Sequence, residues 1–341
     1  MNRAARSGRA KGRGRVGRLR VHVIEDPAAP EPYRLTPRNV RAAMRRLPGI
    51  GRRIAVTFAA SASDTEPLAT AEVLLAGQLN PSKLATHAPR LGWIQSTSAG
   101  VEKLVAVIPP GVVLTNASGV HGPKGGEYAM TALLMLNHRV PHFVTCQRAA
   151  RWDRAWSTPV AGKTVVIIGT GAIGLSAARL ARRFGMRVLG VSRSGRARPP
   201  IERMYRPMDL AKVLPRADLV LITTPLTPET RGLLGRRELD LLPRHAGIVN
   251  LGRGRVVDYE ALAEKLRKGE LSGAVLDVFA EEPLPADSPL WFTPNLIISP
   301  HCGVDDAEAY VARCLDIFFA NLERYLDGRP LKNVVDLARG Y

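Results

Sequence analysis

Cysteine is scarce in this chain. The three in 341 residues, Cys146, Cys302 and Cys314, have no paired spacing. That excludes a disulfide framework and points to a reducing, cytoplasmic setting. Long apolar runs are missing as well. The longest, around residues 128–137, is about half of the roughly 18–20 residues a membrane span needs, so it reads as a buried helix and no membrane partner is expected. Acids are absent from the first 20 residues, which hold seven arginines and one lysine. The formal charge is +19, and +11 remains, spread along the chain, once those eight are set aside. No aromatic interleaving or zinc spacing accompanies the charge, so it is not read as a nucleic-acid site. Residues 1–18 are expected to be a disordered basic tail, too glycine-rich for the apolar face of a targeting helix.

What is present is apolar material, 45% of the residues, arranged in short runs. "VHVIED", "IAVTFAA", "EVLLAG", "LGWIQST" and "VVLTNAS" each read as a buried strand, with room for a crossover helix after each. A second series, "KTVVIIG", "MRVLGV", "ADLVLITT", "AGIVNL", "SGAVLDV" and "NLIISP", supplies six strands for a dinucleotide-binding sheet. Between the series the pattern predicts one helix over about 127–148, kinked at Pro141 because proline removes a backbone donor. A last helix carries Tyr310, Val311, Cys314, Leu315, Phe318, Leu322, Tyr325 and Leu326 at three- and four-residue steps, with Gly328 as its cap. The fold class is α/β, with two doubly wound parallel-sheet domains.

"VVIIGTGAIG" places Gly169, Gly171 and Gly174 in G-x-G-x-x-G spacing after a strand, with Ala172 and Ile173 opening the next helix. The first glycine permits the turn, the second admits a pyrophosphate, and the third lets helix and strand pack. At the end of the second strand, where an acid would grip the adenine ribose, stands Ser192, followed by Arg193 and Arg196. A hydroxyl and two cations favour a 2′-phosphate, so NADP(H) is expected over NAD(H), with NAD(H) possible.

Three more strand ends carry chemistry. "VNLGRG" delivers Arg253, "LDVFAEEPLP" carries Asp277 and Glu282, and "SPHCG" exposes His301. A guanidinium fork grips a carboxylate and polarises a carbonyl. A histidine with a carboxylate neighbour is suited to donate a proton near neutrality. The set suits hydride transfer to a 2-oxo acid.

Beyond the tail the sequence resembles the D-2-hydroxyacid dehydrogenase family, through "STSAGVEKL", "GTGAIG", "TTPLTPETRGLL", "VNLGRGRVVD", "LDVFAEEPLP", "SPLW", "SPHCG" and "NVVDLARGY" in that order. The resemblance implies a Rossmann cofactor domain (119–302) inserted into a flavodoxin-like substrate domain (19–118 and 303–341), with a cleft between them. It implies Arg253 as substrate ligand, His301 as acid/base and Glu282 as its partner. The amides of Ala99 and Gly100 would bind the substrate carboxylate. Asp277 would hold the nicotinamide amide, and Thr224, Leu251, Gly252, Arg253, His301 and Gly303 would line the cofactor. A homodimer is implied, formed mainly by the long central helix, with Trp152 reaching toward the partner. Two departures are Gly126, where the family usually has alanine, and Cys302, where an apolar residue is common. The missing acid at Ser192 resembles glyoxylate and hydroxypyruvate reductases that use NADPH, so reduction of such a substrate to the D-2-hydroxy acid is expected.

Two other readings belong to relatives of the same architecture. Formate dehydrogenases suit a glutamine beside the histidine, which Glu282 argues against. Cofactor-sensing co-repressors need a peptide-binding surface that the sequence does not reveal. His138, His142 and Cys146 stand at four-residue steps, but Pro141 interrupts the register and a fourth ligand is missing, so no metal site is expected. His121, in "GVHGP", lies by the resemblance near the hinge.

Overall fold

The computed structural model describes residues 17–25, 29–30, 33–59, 65–77, 84, 86–105 and 108–340. The basic tail before residue 17 lies outside the described residues. The chain divides into two compact units, Met1–Val120 with Asp306–Tyr341, and His121–Asp305.

In the first unit β1 (Leu19–Ile24), β2 (Ile54–Ala59), β3 (Val73–Ala76), β4 (Trp93–Ser96) and β5 (Val113–Thr115) form a parallel sheet in the order β2-β1-β3-β4-β5. This is the flavodoxin-like doubly wound order. Every residue of β3 and β4 is buried, as a sheet covered on both faces requires. One face receives the C-terminal helix (Tyr310–Leu326), whose Phe318, Phe319 and Leu322 are no more than 2% exposed. Each contributes about 1.5–3 kcal/mol by leaving water. Phe318 stacks on Trp93 at 5.5 Å, and the Trp93 indole donates to Thr115 Oγ1 at 2.7 Å. Gly328, at φ 65°, closes the helix. Its amide reaches Tyr325 O, and that of Arg329 reaches Arg324 O, the paired bonds of a left-handed cap.

In the second unit β6 (Thr164–Ile168), β7 (Arg187–Val191), β8 (Arg203–Tyr205), β9 (Leu219–Ile222), β10 (Gly247–Asn250), β11 (Gly273–Leu276) and β12 (Leu296–Ile298) form a parallel sheet, ordered β12-β11-β10-β9-β6-β7-β8. Val166 and Ile168 of β6 enter one apolar cluster while Val165 and Ile167 enter another. Both faces are therefore packed. Six of these strands are the apolar runs of the sequence. The seventh, β8, has only three residues and an arginine at its start, so it carries no apolar run to detect.

The single kinked helix expected over 127–148 is instead two: α1 (Gly122–Asn137) and α2 (Val140–Arg148). The break lies before Pro141, at Arg139, which takes φ 60°. Pro141 falls in the first turn of α2, where no backbone donor is needed, so it starts a helix rather than bending one. α1 packs on α3 (Ala172–Arg183). A Cβ at Gly126 would lie 2.3 Å from Ser176 Oγ. The missing methyl is thus the space that the Ser176 side chain fills.

Candidate active site

Every candidate residue of the second unit sits just past the carboxyl end of a strand. Along the rim they follow the strand order: His301 after β12, Asp277 and Glu282 after β11, Arg253 after β10, Thr224 after β9, residues 169–174 after β6, and Ser192 after β7. The order of the strands reverses between β6 and β9, with β6 to β8 laid down in one direction and β9 to β12 in the other, which opens a crevice above the sheet at that point. From β11 to β7 is four strand spacings, about 19 Å. An elongated ligand is needed to span it.

The glycine loop is shaped from both sides. Gly169 has φ 99°, and a Cβ there would lie 2.7 Å from Thr224 N. A Cβ on Gly174 would be 2.1 Å from Gly169 O, whereas one on Gly171 would meet nothing within 4 Å. The first and third glycines are thus fixed by packing, and the second faces open space. Gly171 precedes α3, which Ala172 and Ile173 open without any side-chain cap. Its first amides are left for an anion. Leu251 donates its amide to Ile222 O, and Gly252 passes so close to Thr224 that a Cβ would lie 2.6 Å from Thr224 O.

Two buried oxygens on this rim, Thr224 Oγ1 and Asp277 Oδ2, have no hydrogen-bond partner among the described residues. Leaving such groups unpaired costs about 1–3 kcal/mol each. Asp277 is fully buried, and that burial pushes its carboxyl above the usual range. Its other oxygen accepts from Ser299 Oγ at 2.5 Å and from the amides of Cys302 and Gly303 at 3.2 and 3.0 Å. Tyr128 shares a 2.6 Å hydrogen bond with Ser299 Oγ, and its ring fills the space a Cβ on Gly303 would need. Ser299 and Tyr128 hold Asp277 in place, and neither was legible in the sequence. An open glycine cradle and a buried carboxylate oxygen awaiting a donor fit a nicotinamide dinucleotide.

At the end of β7, Ser192 donates its amide to Tyr205 O of β8, and Gly195, at φ 61°, closes a turn onto Ser192 O. Arg193 and Arg196 are exposed on that turn. A third arginine, Arg198, reaches back so that Nη1 donates to Thr170 O at 2.7 Å. It ties this turn to the glycine loop. Sequence reading missed it, although "SRSGRAR" contains the signal.

At the other end of the rim His301 Nδ1 lies 2.7 Å from Glu282 Oε2. Glu282 Oε1 accepts from the Phe279 amide at 2.7 Å, so both carboxylate oxygens are engaged. An ionised carboxylate only accepts, which assigns the proton of this bond to Nδ1 and leaves Nε2 to face a reactant. His301 itself has φ 51°, a conformation that costs a non-glycine residue about 1–3 kcal/mol. The amides of the next two residues, anchored on Asp277, hold it there. The loop after β10 packs against the segment that carries Glu282: a Cβ on Gly254 would be 2.2 Å from Phe279 C. Arg253 is half-buried at the start of that loop, with Nη1 donating to Gly252 O at 2.8 Å. Asn250 braces it, donating to Arg253 O and to the Tyr259 hydroxyl, which donates onward to Val278 O. His121 lies within electrostatic reach of Arg253 and His301. Burial pushes its imidazole below the usual range; Arg253 and His301 add to this, while Asp305 opposes it.

Ala99 and Gly100 belong to the first unit, three and four residues past β4. Asn116 Nδ2 donates to Ala99 O at 2.9 Å, and the Ala117 amide donates to Ser98 O, which fixes the loop.

A doubly wound sheet with this rim defines a dinucleotide-dependent oxidoreductase. The sequence profile of the D-isomer specific 2-hydroxyacid dehydrogenase NAD binding domain matches residues 130–303. Glyoxylate/hydroxypyruvate reductase B of Pectobacterium atrosepticum is 37% identical over 286 residues, covering 81% of this chain and 88% of that protein. An NADPH-dependent glyoxylate/hydroxypyruvate reductase of Sinorhizobium meliloti, solved with NADP and sulfate, is 28% identical with a TM-score of 0.77, over 95% of this chain and all of that one. A D-isomer specific 2-hydroxyacid dehydrogenase from Xanthobacter autotrophicus, solved with NADPH and MES, gives 0.79 at 28% identity, over 94% and 99% of the two chains. The chain belongs to the D-isomer specific 2-hydroxyacid dehydrogenase family, and is a nicotinamide-dependent oxidoreductase acting on a small molecule.

Proposed function

We propose that this enzyme reduces a small 2-oxo carboxylate of the glyoxylate or hydroxypyruvate kind to the D-2-hydroxy acid, with NADPH in preference to NADH. The observation that carries the reading is the Glu282-backed His301 on the same rim as Arg253, with serine and arginines instead of an acid at the end of β7.

When bound, the reduced nicotinamide supplies the hydride that reaches C2. His301 Nε2 donates a proton to the C2 oxygen as negative charge develops there, so the carbonyl becomes the hydroxyl of the product. Glu282 keeps the ring in one tautomer and stabilises its protonated form. Because the pair is more than a third exposed, it is worth only about 0–1 kcal/mol to folding. Its contribution is orientation. The Arg253 fork pairs with the substrate carboxylate and stabilises the developing alkoxide. Asp277 Oδ2 would accept from the carboxamide of the cofactor. Residues 169–174 would hold its pyrophosphate, and Ser192, Arg193 and Arg196 its 2′-phosphate.

An acid at position 192 would cost a 2′-phosphate about 1–4 kcal/mol at ~4 Å, roughly five- to thousandfold in affinity. Serine removes that cost and the arginines reverse its sign. Assaying a panel of 2-oxo acids with NADPH and NADH tests the reading. Glyoxylate and hydroxypyruvate should lead, with kcat/KM for NADPH at least about tenfold above that for NADH. The double variant R193A/R196A should raise the KM for NADPH by about tenfold and leave NADH nearly unchanged. Preference for NADH, or equal losses with both cofactors, would refute the cofactor assignment.

A further inference from the structure

Away from the rim, three ligating side chains converge on one point. His142 and Cys146 stand four residues apart on α2, so they share a face. The chain turns after the helix, with Ala150 at φ 48°, and brings Asp153 alongside. His142 Nε2 lies 3.5 Å from Cys146 Sγ and 3.5 Å from Asp153 Oδ2, and all three ligand atoms fall within 4.8 Å of one another. A tetrahedral cation with bonds of about 2.0–2.3 Å holds its ligands about 3.3–3.6 Å apart. Two of the three edges are already at that length. Nε2 is the ring nitrogen nearer the thiol, with Nδ1 at 4.0 Å from Cys146 Sγ, so a turn of the imidazole about its side-chain bonds is needed to aim Nε2 at a shared ion.

A cation already stands over the thiol. Arg151 Nη2 is 3.2 Å from Cys146 Sγ and 3.7 Å from Asp153 Oδ2. Its side chain is 59% exposed, so it can swing into water without losing buried contacts, whereas Cys146 is buried.

We propose that His142, Cys146 and Asp153 form a binding site for a thiophilic divalent cation, Zn2+ foremost, with water as fourth ligand, and that the metal displaces the Arg151 guanidinium. Thiolate, imidazole and carboxylate together select zinc-like ions over magnesium or calcium, which prefer all-oxygen sets. His138 is not part of the site. It lies beyond the break at Arg139, and its Nδ1 is 3.4 Å from Ser157 Oγ. The metal ties α2 to the segment carrying Trp152 and Trp156, 90% and 82% exposed.

The test is titration of the untagged, full-length chain with Co2+ under reducing conditions. A thiolate-to-cobalt charge-transfer band with tetrahedral visible absorption should appear at one equivalent and disappear on adding Zn2+. It should be lost in C146S and H142A, weakened in D153A, and retained in C302S, which removes the exposed thiol beside His301. R151A should bind Co2+ about tenfold more tightly, since a like charge near the surface is removed. D153A alters an exposed position and keeps the test valid if C146S does not fold. The proposal is overturned if the band is absent from wild type and R151A, or if it follows Cys302 in place of Cys146. Unchanged affinity in R151A would overturn the displacement.

Discussion

Arg253→Ala should lower kcat/KM for a 2-oxo acid by about 10²–10³-fold, the usual cost of losing one donor aimed at developing negative charge. NADPH affinity, measured by fluorescence titration, should change little. The separation is expected because the guanidinium is placed by its own loop. Gly254 is wedged against Phe279, Asn250 holds the Arg253 carbonyl, and the glycine loop and the turn carrying Arg193 and Arg196 follow other strands, β6 and β7. Arg253→Lys should not restore activity, because an ammonium lacks the planar fork. Activity within a few-fold of wild type would remove Arg253 from the chemistry. A loss of NADPH binding as large as the loss of activity would reassign it to the cofactor.

The second large effect is expected at His301. Replacing it with glutamine should reduce kcat by about 10²–10⁴-fold, the range for a general acid, with a smaller change in KM. Glu282→Gln should give a lesser fall in kcat, since a neutral amide still bonds Nδ1 but no longer stabilises the protonated ring. Thermal unfolding should barely respond to Glu282→Gln, as an exposed pair contributes little to folding. A kcat unmoved by either substitution, or a collapse of stability that accounts for the loss, would contradict the assignment.

These residues were legible in the sequence because each follows a buried strand, and such strands announce themselves as unbroken apolar runs. β6, β9, β10 and β11 read directly, and with them the positions of Gly169, Thr224, Arg253 and Asp277 on one rim. β8 did not, because a three-residue edge strand starting with arginine has no apolar signature. Pro141 was read as a kink when it begins a helix. The difference depends on whether the turn before it continues, and Arg139 decides that through a backbone angle no pattern encodes. Arg198 was hidden in a run of arginines, where only the fold shows which one turns back to Thr170. Ser299 and Tyr128 are ordinary residues until β12 and α1 bring them to Asp277. The same holds for Asp153. Helical spacing pointed to His138 as the neighbour of His142 and Cys146, but the broken helix and the following turn supply a carboxylate instead.

A crystal structure of the enzyme with NADP(H) and oxamate, an unreactive mimic of a 2-oxo acid, tests the central geometry most directly. His301 Nε2 should lie within about 3 Å of the oxygen that stands for the reacting carbonyl, with Glu282 still on Nδ1 and the Arg253 fork on the inhibitor. An inhibitor whose carbonyl faces a different donor, with His301 turned from it, would contradict the proposed reaction.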